Sequence, residues 1–360
     1  MKMSGAEGTL RRHVYMDVVR IVGCVLVICL HMATLDVKSF STTGVEWKVM
    51  NFLDSVGING ISLFFMISGA LFLRKEADTS LKYIWKKIGI LFAVYIISLF
   101  GYNIIPFVKG WEPWKPEYLR ADLLGNVLCG EGIYHLGFLP TLMVLYGLTP
   151  ILKEAFADRR NCEYFLILFA IFGALIPFAL RFDFENKRLL QSISDRFGLF
   201  FLTGHIGYFV LGHYLHEFGG KLSRKKAAAA ILAAGSTVLF TMLCNHKDAV
   251  ARNDFSTIAN TPLSVTGLLF AGSVFMLIKT GMANYRSVKG EKVLRYLASL
   301  TFGIYLVHPF IMNTFIKPYP WREVIGNYGL LVVSRFLFVI LCSAVITSVL
   351  KKLPFIKRLL

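Results

Sequence analysis

The chain has 360 residues, of which 56% are hydrophobic and 17% charged, and its formal net charge is +17. Water-soluble domains carry roughly 25% charged residues, so this composition excludes water as the solvent for most of the surface. Six cysteines, Cys24, Cys29, Cys129, Cys162, Cys244 and Cys342, form no CxxC pair, which argues against a metal centre or a disulfide framework; Cys129 and Cys244 are the one pair that could meet near a common surface.

Apolar windows of roughly 17 to 23 residues recur along the whole chain, each long enough to cross a hydrocarbon core about 30 Å thick. In chain order the predicted spans are Val14–Leu35, Val49–Leu73, Ile88–Val108, Ile133–Ala155, Tyr164–Leu180, Leu199–Leu215, Ala227–Cys244, Pro262–Ile278, Tyr296–Ile316 and Tyr328–Leu350. The windows are apolar on all sides rather than alternating, which selects helices over barrel strands. The expectation is an all-α polytopic membrane bundle of about ten helices forming one domain over residues 1–360, with no cleaved leader. About 24 of the 39 Lys and Arg residues fall at the termini and in the loops near 74–87, 153–160, 221–226 and 279–295, so both termini are expected to be cytoplasmic. Basic residues distributed in this way are topology signals, not a nucleic-acid footprint. The outer loop near 109–132, rich in Trp, Tyr and Pro, suits an interfacial segment over the bundle.

Ionisable groups inside spans are costly and mark functional candidates. In the first span Arg20 and His31 are eleven residues apart, about three helical turns, which places both on one face roughly 16 Å apart along the axis. Asp17, Arg20, Cys24, Val27 and His31 form one stripe. A histidine there can accept a proton, and a guanidinium can hold a phosphate or stabilise developing negative charge. The structural alternative is a buried Asp17–Arg20 pair and a histidine bonded to a neighbouring helix.

Ser68–Gly69 near the end of the second span reads as close helix packing, with Ser68 also a candidate site residue. Arg74, Lys82, Lys86 and Lys87, with Trp85 among them, make a basic aromatic patch suited to lipid headgroups or to a phosphate-bearing ligand. Tyr134 and His135 open the fourth span, and Ser299, Thr301, Tyr305 and His308 punctuate the ninth, followed by Pro309. His205, His213 and His216 do not complete a metal-ligand set, and Arg335 has no assigned role.

The ordered segments Asp17–Val18–Val19–Arg20 with ten residues before His31, Leu63 to Ala70, Tyr134 to Leu139, Gly207 to Gly212 and Gly303 to Pro309 resemble the acyltransferase-3 family of polytopic membrane acyltransferases. That resemblance implies transfer of an acyl group, usually acetyl from acetyl-CoA, to a hydroxyl of a sugar or other cell-envelope acceptor. It implies His31 as catalytic base or acyl relay and Arg20 as essential. Asp17, Ser68, His135, Tyr305 and His308 would support the site or bind the acceptor. Arg74, Lys86 and Lys87 would bind the CoA nucleotide, although Lys82–Tyr83–Ile84–Trp85–Lys86–Lys87 lacks the family's arginine pair and Ser62 replaces its usual proline. The implied partners are acyl-CoA, a carbohydrate or lipid-linked glycan and membrane lipid, without nucleic acid or metal, in a multi-pass protein of a bacterial cytoplasmic membrane. A transporter or flippase using the same Arg and His as a relay is the competing class. The pantetheine arm is expected to rise through one cavity from Arg20 to His31.

Overall fold

The computed structural model describes residues 13–36, 41–42, 44–108, 134–199, 204–354 and 356, with only the backbone of 104–108 and 134. The aromatic loop near 109–132 and Cys129 lie outside the described residues. The structure is 79% helical, with no strand among the described residues, and eight of the described helices are long and apolar enough to cross a membrane. Two shorter ones, Ile206–Glu217 and Val265–Gly281, occupy the remaining predicted spans.

Helix α1 runs Val14–Asp36, α2 Val45–Gly57, α3 Gly60–Phe72 and α4 Leu81–Val108. The predicted second span is thus two helices, interrupted at Ile58–Asn59. The flanking glycines explain the close approach of α1 at this point: a Cβ on Gly57 would lie 2.5 Å from the Leu30 nitrogen, and one on Gly60 would lie 2.7 Å from the Gly23 carbonyl oxygen. A 3-10 turn, Tyr134–Gly137, leads into α5, Phe138–Ala155. Helix α6, Arg159–Leu168, starts at Asp158, whose side chain accepts from the Arg160 N–H, and passes through a π segment, Phe169–Leu175, into the short α7, Ile176–Ala179. Phe169 fills the space left by Gly207, and Pro177 follows without an N–H to donate, so the wide turn has local causes.

Helix α8, Lys187–Arg196, is an amphipathic segment with no buried residue that span counting does not anticipate. Helices α9, Ile206–Glu217, α10, Arg224–Arg252, α11, Val265–Gly281, and α12, Val288–Ile311, follow. Ser223, Ser264 and Ser287 cap the last three by accepting from backbone N–H groups. Beyond Pro309, α12 widens into a π segment, Met312–Ile316, before the single turn α13, Trp321–Val324, and the last span α14, Tyr328–Leu350.

Two helix pairs organise the bundle. Gly69 of α3 faces the Phe209 carbonyl and Gly212 of α9 faces the Met66 carbonyl, so the two backbones touch in an antiparallel crossing. Gly69 is therefore a packing position, as its small size suggested, while Ser68 beside it faces a cavity. In the second pair, the Cys24 thiol lies 3.7 Å from the Thr301 carbonyl, and His31 stacks on His308. Both contacts join residues 277 apart, so α1 and α12 run parallel and in step. The buried core around Val19, Leu63, Phe65, Phe209 and Phe275 sits between these pairs. Large apolar side chains such as Ile151, Leu232 and Leu341 point outward, as lipid contact requires.

Candidate active site

At the Arg74 end of the bundle a cavity of about 830 Å³ opens among α1, α3, α4, α5 and α12. Arg20, Ser68, Arg74 and Lys87 line it, so four of the sequence-predicted residues meet there. Arg74 is half-buried, and its Nε has no hydrogen-bond partner among the described residues. A buried guanidinium donor without an acceptor suits an anionic ligand. Lys87 Nζ sits 5.3 Å from the centre of the Tyr83 ring. Glu76 and Asp78 also line the mouth, making its charge mixed. The Ser80 backbone N–H donates to the Asp78 carboxylate at 2.9 Å, which holds that carboxyl below its usual range and keeps it ionised.

Lys86 does not line this cavity: it is exposed, on a flank of α4 beside the mouth. Adjacent residues on a helix diverge by about 100°, so Lys86 and Lys87 cannot share one ligand-facing surface. Asp17 is buried at 3% exposure one turn below Arg20 and is not among the lining residues.

The second group of predicted residues assembles elsewhere. His31 and His308 stack with ring centres 5.1 Å apart and planes at 21°. His135 approaches His308 edge-on at 6.1 Å and Tyr305 at 6.2 Å. The Tyr305 hydroxyl donates to the His135 carbonyl, which fixes the 3-10 turn against α12. His308 is fully buried, and its Nδ1 lies 3.1 Å from the Ile304 carbonyl. A carbonyl only accepts, so Nδ1 carries the hydrogen, and Nε2, which has no hydrogen-bond partner among the described residues, presents its lone pair. Three histidines from α1, α12 and the turn before α5 thus meet at one place, although they are scattered over 278 residues of sequence.

Cavity and histidines are not continuous. The cavity lining reaches Thr301 but includes none of His31, His135 and His308. Thr301 and His308 are seven residues apart on α12, about 10 Å along the axis. Phe64, Phe138 and Phe302 form the wall on the histidine side, and Phe138 packs in turn on Phe65 and Tyr305. Among the described residues, aromatic packing thus stands between this cavity and His31, where helical spacing suggested a single passage; spacing orients a face without showing what fills the space before it.

Sequence reasoning also missed several neighbours. Tyr146 lines the cavity and stacks on Phe72 at 4.2 Å, and the Tyr102 ring lies 4.8 Å from His135 while its hydroxyl donates to the Leu306 carbonyl at 2.7 Å. A tyrosine in mid-span was the available signal for Tyr146. The three histidines of the predicted sixth span and its end make packing and hydrogen-bond contacts: His205 packs edge-on against Phe65 at 4.3 Å, His213 Nε2 bonds the Phe156 carbonyl at 3.1 Å, and His216 Nδ1 lies 2.6 Å from the Tyr15 hydroxyl. Arg335, unassigned from sequence, is buried on α14.

The family model for the acyltransferase domain of the acyltransferase-3 class matches residues 13–350. The chain belongs to that family of multi-pass membrane proteins. Among curated proteins it is similar to the probable poly-beta-1,6-N-acetyl-D-glucosamine export proteins of Staphylococcus aureus strains MSSA476, MRSA252 and MW2. Each is 20% identical over 303 residues, covering 82% of this chain and 81% of the relative. No solved structure gives a significant match.

Proposed function

We propose that the protein transfers an acyl group, acetyl in the simplest case, from acyl-CoA to a hydroxyl of a carbohydrate or lipid-linked glycan. The observation that carries this reading is the placement of one helix, α1, with Arg20 in a cation-lined cavity and His31 in a histidine cluster about three turns further on. Family membership supports the acyl transfer, and the relatives' name supports a polysaccharide acceptor.

In this reading the Arg74 end faces the cytoplasm, in keeping with the Lys/Arg bias, and admits the donor. Arg74 and Lys87 hold the nucleotide phosphates, and Arg20 orders the arm that carries the thioester. The cavity has room for such a donor and offers both charged donors and apolar wall. Phe64, Phe138 and Phe302 must swing aside for the thioester to reach His31. His31 then takes the proton of the acceptor hydroxyl while that oxygen attacks the thioester carbonyl; the carbon–sulfur bond breaks, and the proton returns to the departing thiolate. The relay variant has the His31 nitrogen attack first and pass its acyl group to the hydroxyl. His308, held in one tautomer by Ile304, offers Nε2 to a second hydroxyl of the acceptor.

The test is purified protein with radiolabelled acetyl-CoA and a panel of lipid-linked sugars and polysaccharides. Transfer that disappears in His31→Ala supports the proposal; full transfer by a folded His31→Ala protein refutes it. The relatives' printed name also favours a second reading, glycan export. Export without donor binding predicts that CoA leaves the melting temperature unchanged and that glycan crosses proteoliposomes without any acyl donor.

A further inference from the structure

Helix α8 takes no part in the packed core: none of its residues is buried. It follows the span made by α6, the π segment and α7, residues 159–179, which is long and apolar enough to cross the bilayer. That span starts at the end of the bundle where the Arg74 cavity opens, because Lys153, shortly before it, donates to the carbonyl of the cavity-lining Ala77 at 2.7 Å. Helix α8 therefore begins at the opposite end, at the level of the other bilayer surface. Arg181 fixes the chain as it leaves the span: Nε and Nη2 donate to the carbonyls of Ile258 and Thr257 at 2.6 and 2.8 Å.

Helical periodicity sorts the residues of α8 into two faces. Leu189, Leu190, Ile193 and Phe197 at the C-cap fall within an arc of about 100°, and no polar residue of the helix shares it. Gln191 and Asp195, joined by a 2.8 Å hydrogen bond, stand opposite. Leu189 is 61%, Ile193 41% and Phe197 72% exposed. The least exposed residues, Lys187, Leu190 and Ser194, centre on a flank roughly a quarter turn from the middle of the arc. The bundle thus meets α8 from the side and leaves the apolar arc uncovered. Basic residues rim that arc: Arg196 and Lys187 lie about 20° and 60° beyond its two edges. The single acidic residue of the helix, Asp195, points away, and neither Arg188 nor Arg196 forms an ion pair among the described residues.

We propose that α8 lies in the plane of the bilayer interface and docks on anionic phospholipid, with Leu189, Leu190, Ile193 and Phe197 just below the headgroups and Lys187 and Arg196 on the phosphates. An uncovered apolar arc, a polar face opposite and a cationic rim are what such a surface selects. Long cationic side chains at the rim keep their stems over the apolar layer while their heads reach the phosphates. Lipid is the occupant because α8 begins where a span ends, so the bilayer surface is the first solvent its apolar arc meets. Docked in this way, the helix holds the link between α7 and α9 at headgroup level, on the side of the membrane away from the Arg74 cavity.

The full chain is tested in nanodiscs that contain a phospholipid with a diazirine high on its acyl chain, with the photo-adducts mapped by mass spectrometry. The expected result is adducts on Leu189, Leu190, Ile193 and Phe197 and none on Arg188 or Gln191; Ile151, which points outward from α5, is the positive control. No adduct on 187–197 while Ile151 is labelled, or equal labelling of both faces, overturns the proposal. Hydrogen exchange of the same segment is then compared in discs of phosphatidylcholine alone and discs enriched in phosphatidylglycerol. Exchange should be slower by about 5-fold or more in the anionic discs, and the difference should vanish in the Lys187→Gln, Arg196→Gln double variant, whose substitutions touch no buried residue. Equal exchange of the unaltered chain in the two lipids overturns the anionic partner. Protection that appears only when two chains share a disc assigns the face to a second copy and overturns the lipid partner as well. Neither readout involves acyl transfer, so the failure of this proposal and that of the proposed activity are separable.

Discussion

The two ends of the Arg20–His31 stripe have opposite surroundings. Around Arg20 the bundle is open: the cavity of about 830 Å³ is lined by cations, carboxylates and tyrosines, and Arg74 keeps a donor in reserve. Around His31 the bundle is shut, with His308 and His135 stacked and edge-packed beneath Tyr102 and Tyr305 and almost no exposure. An open charged end can admit a large polar donor without rearrangement, whereas the closed end excludes water from an imidazole pair until rings move. Under the proposed acyl transfer, that division keeps water from the thioester. The difference also separates binding from chemistry, so substitutions at the two ends should fail in different ways.

The largest effect is expected at the closed end. His31→Ala should lower transfer by about 10²- to 10⁴-fold, the usual range for a positioned acid–base group, while CoA still raises the melting temperature. His308→Ala should lower turnover too, and His308→Gln, which retains a hydrogen-bonding end, should recover part of it. Parallel loss of CoA binding in His31→Ala would erase the distinction between the ends. At the open end Arg20→Ala removes a charged hydrogen-bond donor worth about 1.5–3 kcal/mol, so the KM for acyl-CoA should rise by about 10- to 100-fold. Steady-state kinetics with the donor varied measures this, and an unchanged KM would detach Arg20 from the donor.

The wall between cavity and bundle core gives a stability test. Gly69 adjoins the cavity-lining Ser68 and touches the Phe209 backbone, so Gly69→Ala must push α3 and α9 apart, at a cost of about 1–3 kcal/mol. Gly89 on α4 has nothing within 4 Å of where its Cβ would stand, and Gly89→Ala should leave stability equal or slightly higher. Denaturation of the two variants in the same detergent compares them directly; equal loss would mean that the α3–α9 crossing is not a tight contact.

Much of this arrangement was legible in the residues, for identifiable reasons. Apolar length gave the spans, because a bilayer imposes a minimum helix length that composition must satisfy. The eleven-residue interval between Arg20 and His31 set their common face, because helical periodicity is fixed by the backbone. His135, Tyr305 and His308 were singled out as intramembrane polar groups, yet their meeting with His31 depended on the parallel, in-step pairing of α1 and α12. No local signal encodes that pairing; it follows from tertiary packing around Cys24 and Thr301. The aromatic closure was hidden for a related cause: Phe64, Phe138 and Phe302 read as ordinary lipid-phase residues until the helices carrying them converge. The interruption at Ile58–Asn59 was covered by the strong apolar signal on both sides of it, although Asp54, Asn59 and the paired glycines Gly57 and Gly60 were visible.

The smallest effect makes the sharpest use of the contrast, because it compares two neighbours of the same charge at the open end. Lys87 lines the cavity and approaches Tyr83, whereas Lys86 turns away and is exposed. If the basic patch served only to raise the general potential at the membrane surface, either lysine would contribute alike, since a potential screened over about 8–10 Å does not distinguish adjacent residues. If the cavity holds the donor's phosphates, position decides. Lys87→Ala should then raise the KM for acyl-CoA by about 2- to 5-fold, as expected for a partly exposed charge contact of up to about 1 kcal/mol, and the increase should shrink at high salt. Lys86→Ala should leave the KM unchanged at every salt concentration. Equal increases in the two variants would move donor recognition from the cavity to the membrane surface and remove the cavity's part in the mechanism.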